Sequence, residues 1–140
     1  MPTTDELMKT LKSSRNVEDY LQSNADEFIE FKLSEYLEKL LKEKNLKKAV
    51  VIESSGLARE YAYQIFSGKK MPSRKKLLQI CIGMKLNIEE SQTLLKYTGF
   101  NPLYPRVKFD GVILYVLEKK MTLDQANDLL YDNDLETFEA

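Results

Sequence analysis

The sequence predicts an all-α protein, and three observations lead to that fold class. Apolar residues recur at spacings of three and four, as one face of a helix requires, and no strand-like alternation persists. Several of these segments open with a small polar residue that is followed three positions later by an acid or an amide, the pattern of a capped helix start. One pair of segments is separated by a short turn that contains a glycine, Gly56.

The apolar spacing and the caps define each helix in turn. The clearest apolar stretches are Tyr36, Leu37, Leu40 and Leu41, then Leu77, Leu78, Cys81 and Met84, then Phe109, Val112, Ile113, Val116 and Leu117. The predicted caps pair Thr3 with Glu6, Asn24 with Glu27, Asn87 with Glu90 and Thr122 with Gln125, and Ser73 after Pro72 caps one more helix. The predicted helices are residues 4–13, 16–22, 25–31, 35–44, 47–54, 58–66, 74–84, 88–98, 106–119 and 123–132.

Length and composition are those of one ordinary domain, or of a small domain with helical extensions. The 140 residues are 43% hydrophobic, which is ample for a core. The single cysteine, Cys81, cannot form an intramolecular disulfide, and the first residues lack the charged-then-apolar pattern of a secretory signal. Charged residues interrupt every apolar run before it reaches the roughly 18 residues that cross a bilayer. We therefore expect a cytoplasmic protein without a membrane-spanning segment.

The residue types that catalysis and metal binding favour are scarce. The chain contains no histidine, which removes both the commonest general base and the commonest metal ligand. One cysteine and no Cys/His cluster make a structural zinc site unexpected. The carboxylates are scattered along helix faces, so the sequence predicts no enzyme, no metal site and no cofactor.

The charge is unevenly distributed along the chain. The formal net charge is −1, but residues 34–85 carry twelve basic and five acidic side chains. Residues 1–33 carry four basic and seven acidic side chains, and residues 86–140 carry five and ten. A basic middle third between acidic flanks is compatible with a partner that carries phosphate, such as nucleic acid.

The turn between the helices that end near Ser54 and begin near Ala58 is the most informative local feature. A turn of three or four residues with a glycine makes two helices cross steeply, which is helix-turn-helix geometry. Gly56 suits the left-handed backbone that follows a helix end, and Leu57 places an apolar side chain under the corner.

The helix after this turn has an inward and an outward face by its spacing. The inward set is Ala58, Ala62, Ile65 and Phe66, whereas Arg59, Glu60, Tyr63 and Gln64 point away from it and Tyr61 lies at the edge of the exposed face.

These residues, in this order, resemble a known family. The matching positions are Lys48, Val51, Gly56, Leu57, Ile65, the Gly68-Lys69-Lys70 turn, Pro72-Ser73 and the helix "KLLQICIGMKLNIEE". Over residues 34 to about 95 the chain is similar to the phage-repressor-like helix-turn-helix class, also called Cro-like or xenobiotic-response-element proteins, and more narrowly to a bacterial branch with helical extensions. The resemblance implies a five-helix, lambda-repressor-like domain at residues 34–99, between an acidic N-terminal helical extension (1–33) and a C-terminal acidic helical extension (100–140).

Two positions depart from that family. Relatives usually have alanine where this chain has Ile52 and a β-branched residue where it has Ala62, an exchange that conserves volume if the two pack together. Many relatives carry a glutamate at the position of Phe66, so this helix, with Tyr61 and Tyr63, is unusually aromatic.

The resemblance implies sequence-specific binding of double-stranded DNA and, in turn, a bacterial or phage transcriptional regulator. Arg59 would read a guanine edge, Gln64 an adenine edge or a phosphate, and Glu60 and Tyr63 would be secondary readers. The expected phosphate contacts are Lys48, Ser67, Lys69, Lys70 and Arg74. The basic residues of this region also fit an ordinary solvated surface: Lys69, Lys70, Arg74, Lys75 and Lys76.

A second hypothesis comes from another class of function. The same scaffold can hold a protein partner, as an adaptor associated with a kinase, a toxin or phage defence. An exposed apolar patch of Tyr61, Tyr63 and Phe66 would favour that hypothesis, whereas cations on the face of Arg59 and Gln64 would favour DNA. The amphipathic C-terminal helices must bury an apolar face, either on the same chain or in a homodimer.

Overall fold

A computed structural model describes residues 3–14, 16–23 and 31–140, and every regular element in these ranges is a helix. The helices are α1 (Thr4–Ser13), α2 (Val17–Ser23), α3 (Leu33–Glu43), α4 (Lys48–Ser55), α5 (Arg59–Ser67), α6 (Arg74–Gly83), α7 (Ile88–Tyr97), α8 (Lys108–Glu118) and α9 (Leu123–Asp132). The all-α prediction is confirmed for the described residues. The predicted cap Asn24–Glu27 lies outside the described residues, as does nearly all of the helix predicted at 25–31.

The predicted caps explain where several helices begin. The Thr3 side chain accepts a hydrogen bond from the Glu6 N–H at 3.1 Å at the start of α1. Full capping boxes, in which each side chain bonds the other residue's backbone N–H, open α7 and α9. The Ser73 side chain accepts from the Lys76 N–H at 3.3 Å at the start of α6. Each cap supplies a partner to an N–H group that has none inside its helix.

The chain divides into two compact units, residues 1–30 and residues 31–140. In the first unit, α1 is amphipathic but buries none of its residues, and Met8 and Leu11 are exposed. The second unit holds the core, with side chains from each of α3 to α9 buried.

Helix α6 is central to the second unit, because it packs against α4, α7, α8 and α9. Six of its residues are buried, from Leu77 to Ile82. At its end, Gly83 lets α4 approach closely: a Cβ there would lie 2.9 Å from the Ser55 backbone nitrogen. The acidic C-terminal helices α8 and α9 pack on α6 and on each other, so one apolar face of each is buried within the same chain.

Residues 74–103 and 109–138 form two copies of one helical hairpin, 35 positions apart. The sequence "KLNIEESQTLLK" at 85–96 corresponds to "KMTLDQANDLLY" at 120–131. We call α6–α7 with residues 98–103 the first hairpin and α8–α9 with residues 133–138 the second hairpin. The second helix of each hairpin starts from an equivalent capping box, and the equivalent residues Lys85 and Lys120 have positive φ angles of 55° and 52°.

Each hairpin is closed by the same side-chain clamp. The Gln92 amide exchanges two hydrogen bonds with the backbone of Leu103, at 2.9 and 2.7 Å. The Asn127 amide does the same with Phe138, at 3.2 and 2.8 Å. Both clamped residues are buried, Leu103 at 3% exposure and Phe138 at 5%. The segment after the second helix of each hairpin is therefore held back onto it.

The two hairpins contact each other reciprocally. Lys85 Nζ donates to the Lys120 carbonyl at 2.9 Å, and Lys120 Nζ donates to the Lys85 carbonyl at 2.9 Å. Arg74 and Lys75 are equivalent to Phe109 and Asp110. Arg74 contacts Asp110, and the reciprocal contact is made by Lys75, whose Nζ lies 5.6 Å from the centre of the Phe109 ring. Contacts that recur when the partners are exchanged are those of a two-fold interface. The hairpins thus pair as approximate two-fold equivalents within one chain.

Candidate nucleic-acid interface

The turn between α4 and α5 has the glycine geometry that its sequence predicts. Gly56 follows α4 with φ 68°, and Leu57, at 7% exposure, is buried beneath the turn. The Ser55 hydroxyl donates to the Ile52 carbonyl at 2.6 Å and accepts from the Leu57 N–H at 3.3 Å. A side chain at Gly56 would be strained by the positive φ. The turn is thus fixed by backbone conformation and by a buried hydroxyl.

Helix α5 presents the outward residues that were predicted. Arg59, Glu60 and Tyr63 are exposed, and Gln64 is half-buried. On the opposite face Ala62, Ile65 and Phe66 are buried at 3% exposure or less. Ala58 differs from its prediction: it is the exposed residue before the helix rather than part of the inward face, because its extended backbone (φ −57°, ψ 131°) precedes the first helical turn. Ile52 and Ala62 are both buried.

The three aromatic residues of α5 do not form an exposed patch. Phe66 belongs to the core, and Lys48 Nζ lies 5.8 Å from the centre of its ring. Tyr61 is half-buried against the core, with Lys70 Nζ at 5.9 Å from its ring centre. Only Tyr63 is exposed, and the Arg59 guanidinium carbon lies 5.8 Å from its ring centre. Cation–π contact at these distances holds the cations over the ring faces.

Beside α5 lies a shallow groove of about 380 Å³. Its lining residues come from α4, from the turn and from the first turns of α5, and are Ala49, Ile52, Glu53, Leu57, Arg59 and Tyr63. The exposed end of α5 is therefore bordered by an apolar floor and by side chains of both charges.

The turn after α5 supplies the free cations of this face. Gly68 adopts φ 88°, and the N–H groups of Lys69 and Lys70 bond the Gln64 carbonyl at 2.9 and 3.2 Å. Ser67, Lys69 and Lys70 are exposed, and the Ser67 hydroxyl donates to the Gln64 carbonyl at 3.1 Å. The backbone of this turn is thus fixed, and both lysines are exposed, with the Lys70 ammonium group beside the Tyr61 ring.

Lys48, another predicted phosphate ligand, already has an anionic partner. Its ammonium group forms an ion pair with the Glu38 carboxylate of α3, and both side chains are partly exposed. Because an exposed ion pair is worth little in water, a phosphate can compete for this lysine.

Arg74 is a correction to the predicted site. Its guanidinium pairs with the buried Asp110 carboxylate through two hydrogen bonds, of 3.0 and 2.9 Å. It also donates to the carbonyls of Asn101 (3.0 Å) and Pro102 (3.2 Å). These four donor contacts hold the Arg74 side chain within the fold. They join α6 to the loop before α8 and to α8 itself. We therefore exclude it from the candidate interface.

The basic run after Arg74 is also occupied rather than freely solvated. Lys75 donates to the Thr137 carbonyl at 3.1 Å and forms an ion pair with Glu136 at 3.4 Å. Lys76 donates to the carbonyls of Glu139 (3.0 Å) and Ala140 (2.9 Å). Residues 136–140 thus lie across the start of α6. The basic charge of residues 34–85 is consequently much less available to a ligand than its sequence count indicates.

Three ionisable groups outside α5 and its flanking turns have shifted pKa values. Partial burial raises the pKa of Tyr36, and the other two groups are Cys81 and Glu90. Burial raises the pKa of the Cys81 thiol to about 12, so it remains protonated. Partial burial alone would raise the pKa of Glu90, but hydrogen bonds from the Asn87 backbone and from Lys44, at 3.0 Å, outweigh it and hold that pKa below its ordinary value. Both groups support the fold.

Comparison with protein-family models, with curated proteins and with solved structures found no match to this chain. Among the described residues, no group of three or more Cys, Asp and Glu side chains is placed to hold a metal ion. Within the same residues, no helix has the length and apolar character needed to cross a membrane.

Proposed function

We propose that residues 31–140 bind double-stranded DNA with sequence specificity. In this proposal α3 to α7 are a five-helix, lambda-repressor-like domain in which α4, the Gly56 turn and α5 are the helix-turn-helix. The observation that carries the proposal is the exposure of Arg59, Glu60 and Tyr63 on α5 beside the free cations of the following turn. The resemblance to phage-repressor-like proteins supports a bacterial or phage transcriptional regulator as the biological setting.

Roles follow from chemistry and position. Arg59 is the candidate for a guanine edge, because a guanidinium can donate two parallel hydrogen bonds to the O6 and N7 acceptors. Gln64 suits an adenine edge or a phosphate, and Glu60 and Tyr63 are secondary readers. Lys48, Ser67, Lys69 and Lys70 would contact phosphates, which give affinity and fix the register without reading sequence.

The burial of Phe66 bears on the alternative function. A protein-interaction module would use an apolar patch formed by Tyr61, Tyr63 and Phe66, but Phe66 is 3% exposed and Tyr61 packs on the core. The outward face is left with one tyrosine and several charged or polar groups. That composition suits a groove of DNA better than an apolar protein surface.

The proposal is tested by selecting bound sites from a random duplex pool and measuring affinity at several salt concentrations. Arg59→Ala should cost about 1–3 kcal/mol on the selected site and relax its preference at one base position. The pair Lys69→Ala and Lys70→Ala should weaken binding to all duplexes evenly and reduce the salt slope by about 2 for each bound copy.

The matched control removes equal charge elsewhere, at Lys12 and Lys96, which are exposed on α1 and α7. It should leave both sequence preference and salt slope close to those of the wild type. Absence of salt-sensitive binding to any duplex, or equal loss in the control, would refute the proposal.

A further inference from the structure

The 35-residue repeat identifies a face that is covered in the first hairpin and open in the second. Of the twelve buried positions in the first hairpin, six are buried in both copies and six are buried only in the first. Three of these last six, Leu77, Ile80 and Leu94, are 0% exposed and mark this face. Their equivalents in the second hairpin are Val112, Tyr115 and Leu129. Tyr115 is 53% exposed, and the other two are only partly buried.

The first hairpin uses this face within the chain. Helix α6 packs on α4, and Gly83, the equivalent of Glu118 in the second hairpin, lies against the Ser55 backbone of α4. Helix α7 is joined to α3 by the ion pair of Lys44 with Glu90 at 3.0 Å. On the second hairpin the corresponding face forms an open groove of about 430 Å³. Apolar and small residues dominate its lining, which includes Pro105, Gly111, Val112, Tyr115, Leu129 and Leu135.

We propose that this groove binds a second copy of the chain, with α8 packed antiparallel against α8 of the partner about a two-fold axis. Residues 108, 111, 112, 115 and 118 fall within about 120° of the helix circumference at 100° per residue, so one stripe of α8 faces the partner. A two-fold axis that crosses α8 at the level of residue 113 sets Tyr115 opposite the partner's Gly111. The missing side chain of that glycine leaves room for the tyrosine ring.

Charge complementarity selects this occupant. The same axis places Lys108 opposite the partner's Glu118, and two-fold symmetry repeats that pair on the other side. Both side chains are exposed, and neither has an ion-pair partner among the residues described. An interface with an aromatic side chain at its centre and ion pairs at its rim matches the usual anatomy of protein contacts. This inference does not depend on DNA binding.

The test is the oligomeric state of the full chain, by sedimentation equilibrium and by light scattering after gel filtration. The chain mass is 16.3 kDa, so the wild type should approach twice that mass as its concentration rises. Tyr115→Asp should abolish the dimer, whereas the control Tyr131→Asp, at a tyrosine 77% exposed and outside the groove, should not.

Charge reversal tests the register. Lys108→Glu or Glu118→Lys alone should weaken dimerisation about tenfold, because each creates two like-charge contacts, and the double variant should restore it. Circular dichroism verifies that each variant is folded. A wild type that stays monomeric, a dimer that survives Tyr115→Asp, or a double variant no tighter than the singles would overturn the proposal.

Discussion

Removal of the Asp110 carboxylate is the sharpest test of how the second hairpin is attached. Asp110 is 4% exposed and accepts three hydrogen bonds: two from Arg74 and one, at 3.0 Å, from the Tyr104 N–H. Asp110→Ala leaves the guanidinium with its two carbonyl contacts and no counter-charge. It also leaves the Tyr104 N–H unpaired in a partly buried position.

The magnitude follows from the exposure of the two partners. Breaking a fully buried ion pair costs about 3–5 kcal/mol, because one charge remains without compensation. The Arg74 side chain is 26% exposed, so water replaces part of the lost interaction. We expect a loss of about 3 kcal/mol in the free energy of unfolding, at the low end of that range. For a unit of about 110 residues this corresponds to a fall of roughly 10–15 °C in Tm.

Urea unfolding followed by circular dichroism measures this loss, with Asp128→Ala as a control for removal of an exposed acid from α9. A double-mutant cycle with Arg74→Met should give a coupling energy of at least about 1.5 kcal/mol. A loss below about 1 kcal/mol, or additive single variants, would refute the argument that this pair joins the hairpins. The folded Arg74→Met protein should bind DNA as the wild type does.

Two further predictions concern close packing and pH. Gly83→Ala should destabilise the fold by about 2 kcal/mol in urea unfolding, because its Cβ would meet backbone atoms of Ser55 and Val51 at 2.9–3.0 Å. The control Gly111→Ala, with one contact at 3.4 Å, should not destabilise the Tyr115→Asp monomer by more than about 0.5 kcal/mol, and equal losses in the two variants would contradict this. Glu90 has a lowered pKa when folded, so its stabilisation is complete above its unfolded pKa and is lost as pH falls through the folded value. The stability gap between wild type and Glu90→Gln should be present at pH 7 and should shrink as the pH falls below the ordinary pKa of a glutamate, and a gap independent of pH would contradict the shift.

Local sequence patterns were sufficient to predict the helices. Predicted and observed ends of the described helices agree within two residues, since the apolar period and the caps act over a few positions. The Gly56 turn and the outward residues of α5 were predictable for the same reason. The error at Ala58 is also local: helix geometry was applied one residue before the helix begins.

The roles of Arg74, Lys75 and Lys76 could not be predicted from local pattern. Their partners lie 27 to 64 positions away in the chain, and a count of nearby charges contains no information about such contacts. One signal in the sequence could have helped. The 35-residue repeat relates 85–96 to 120–131, and an internal duplication implies that the copies pack on each other. Residues at the start of the first copy would then be candidates for that interface.

The loss of these three cations from the candidate interface has a quantitative consequence for both proposals. At most three lysines remain for phosphate contacts on each copy: Lys48, Lys69 and Lys70. At about 0.9 per neutralised phosphate, the salt slope of binding should be near 3 for one copy and between about 5 and 6 for two. Because Tyr115→Asp separates the copies without touching α5, it should reduce the slope from the higher value to the lower while the preferred half-site stays the same. A salt titration therefore separates dimerisation from base reading, because dimerisation sets the salt slope of binding and base reading sets the preferred half-site sequence.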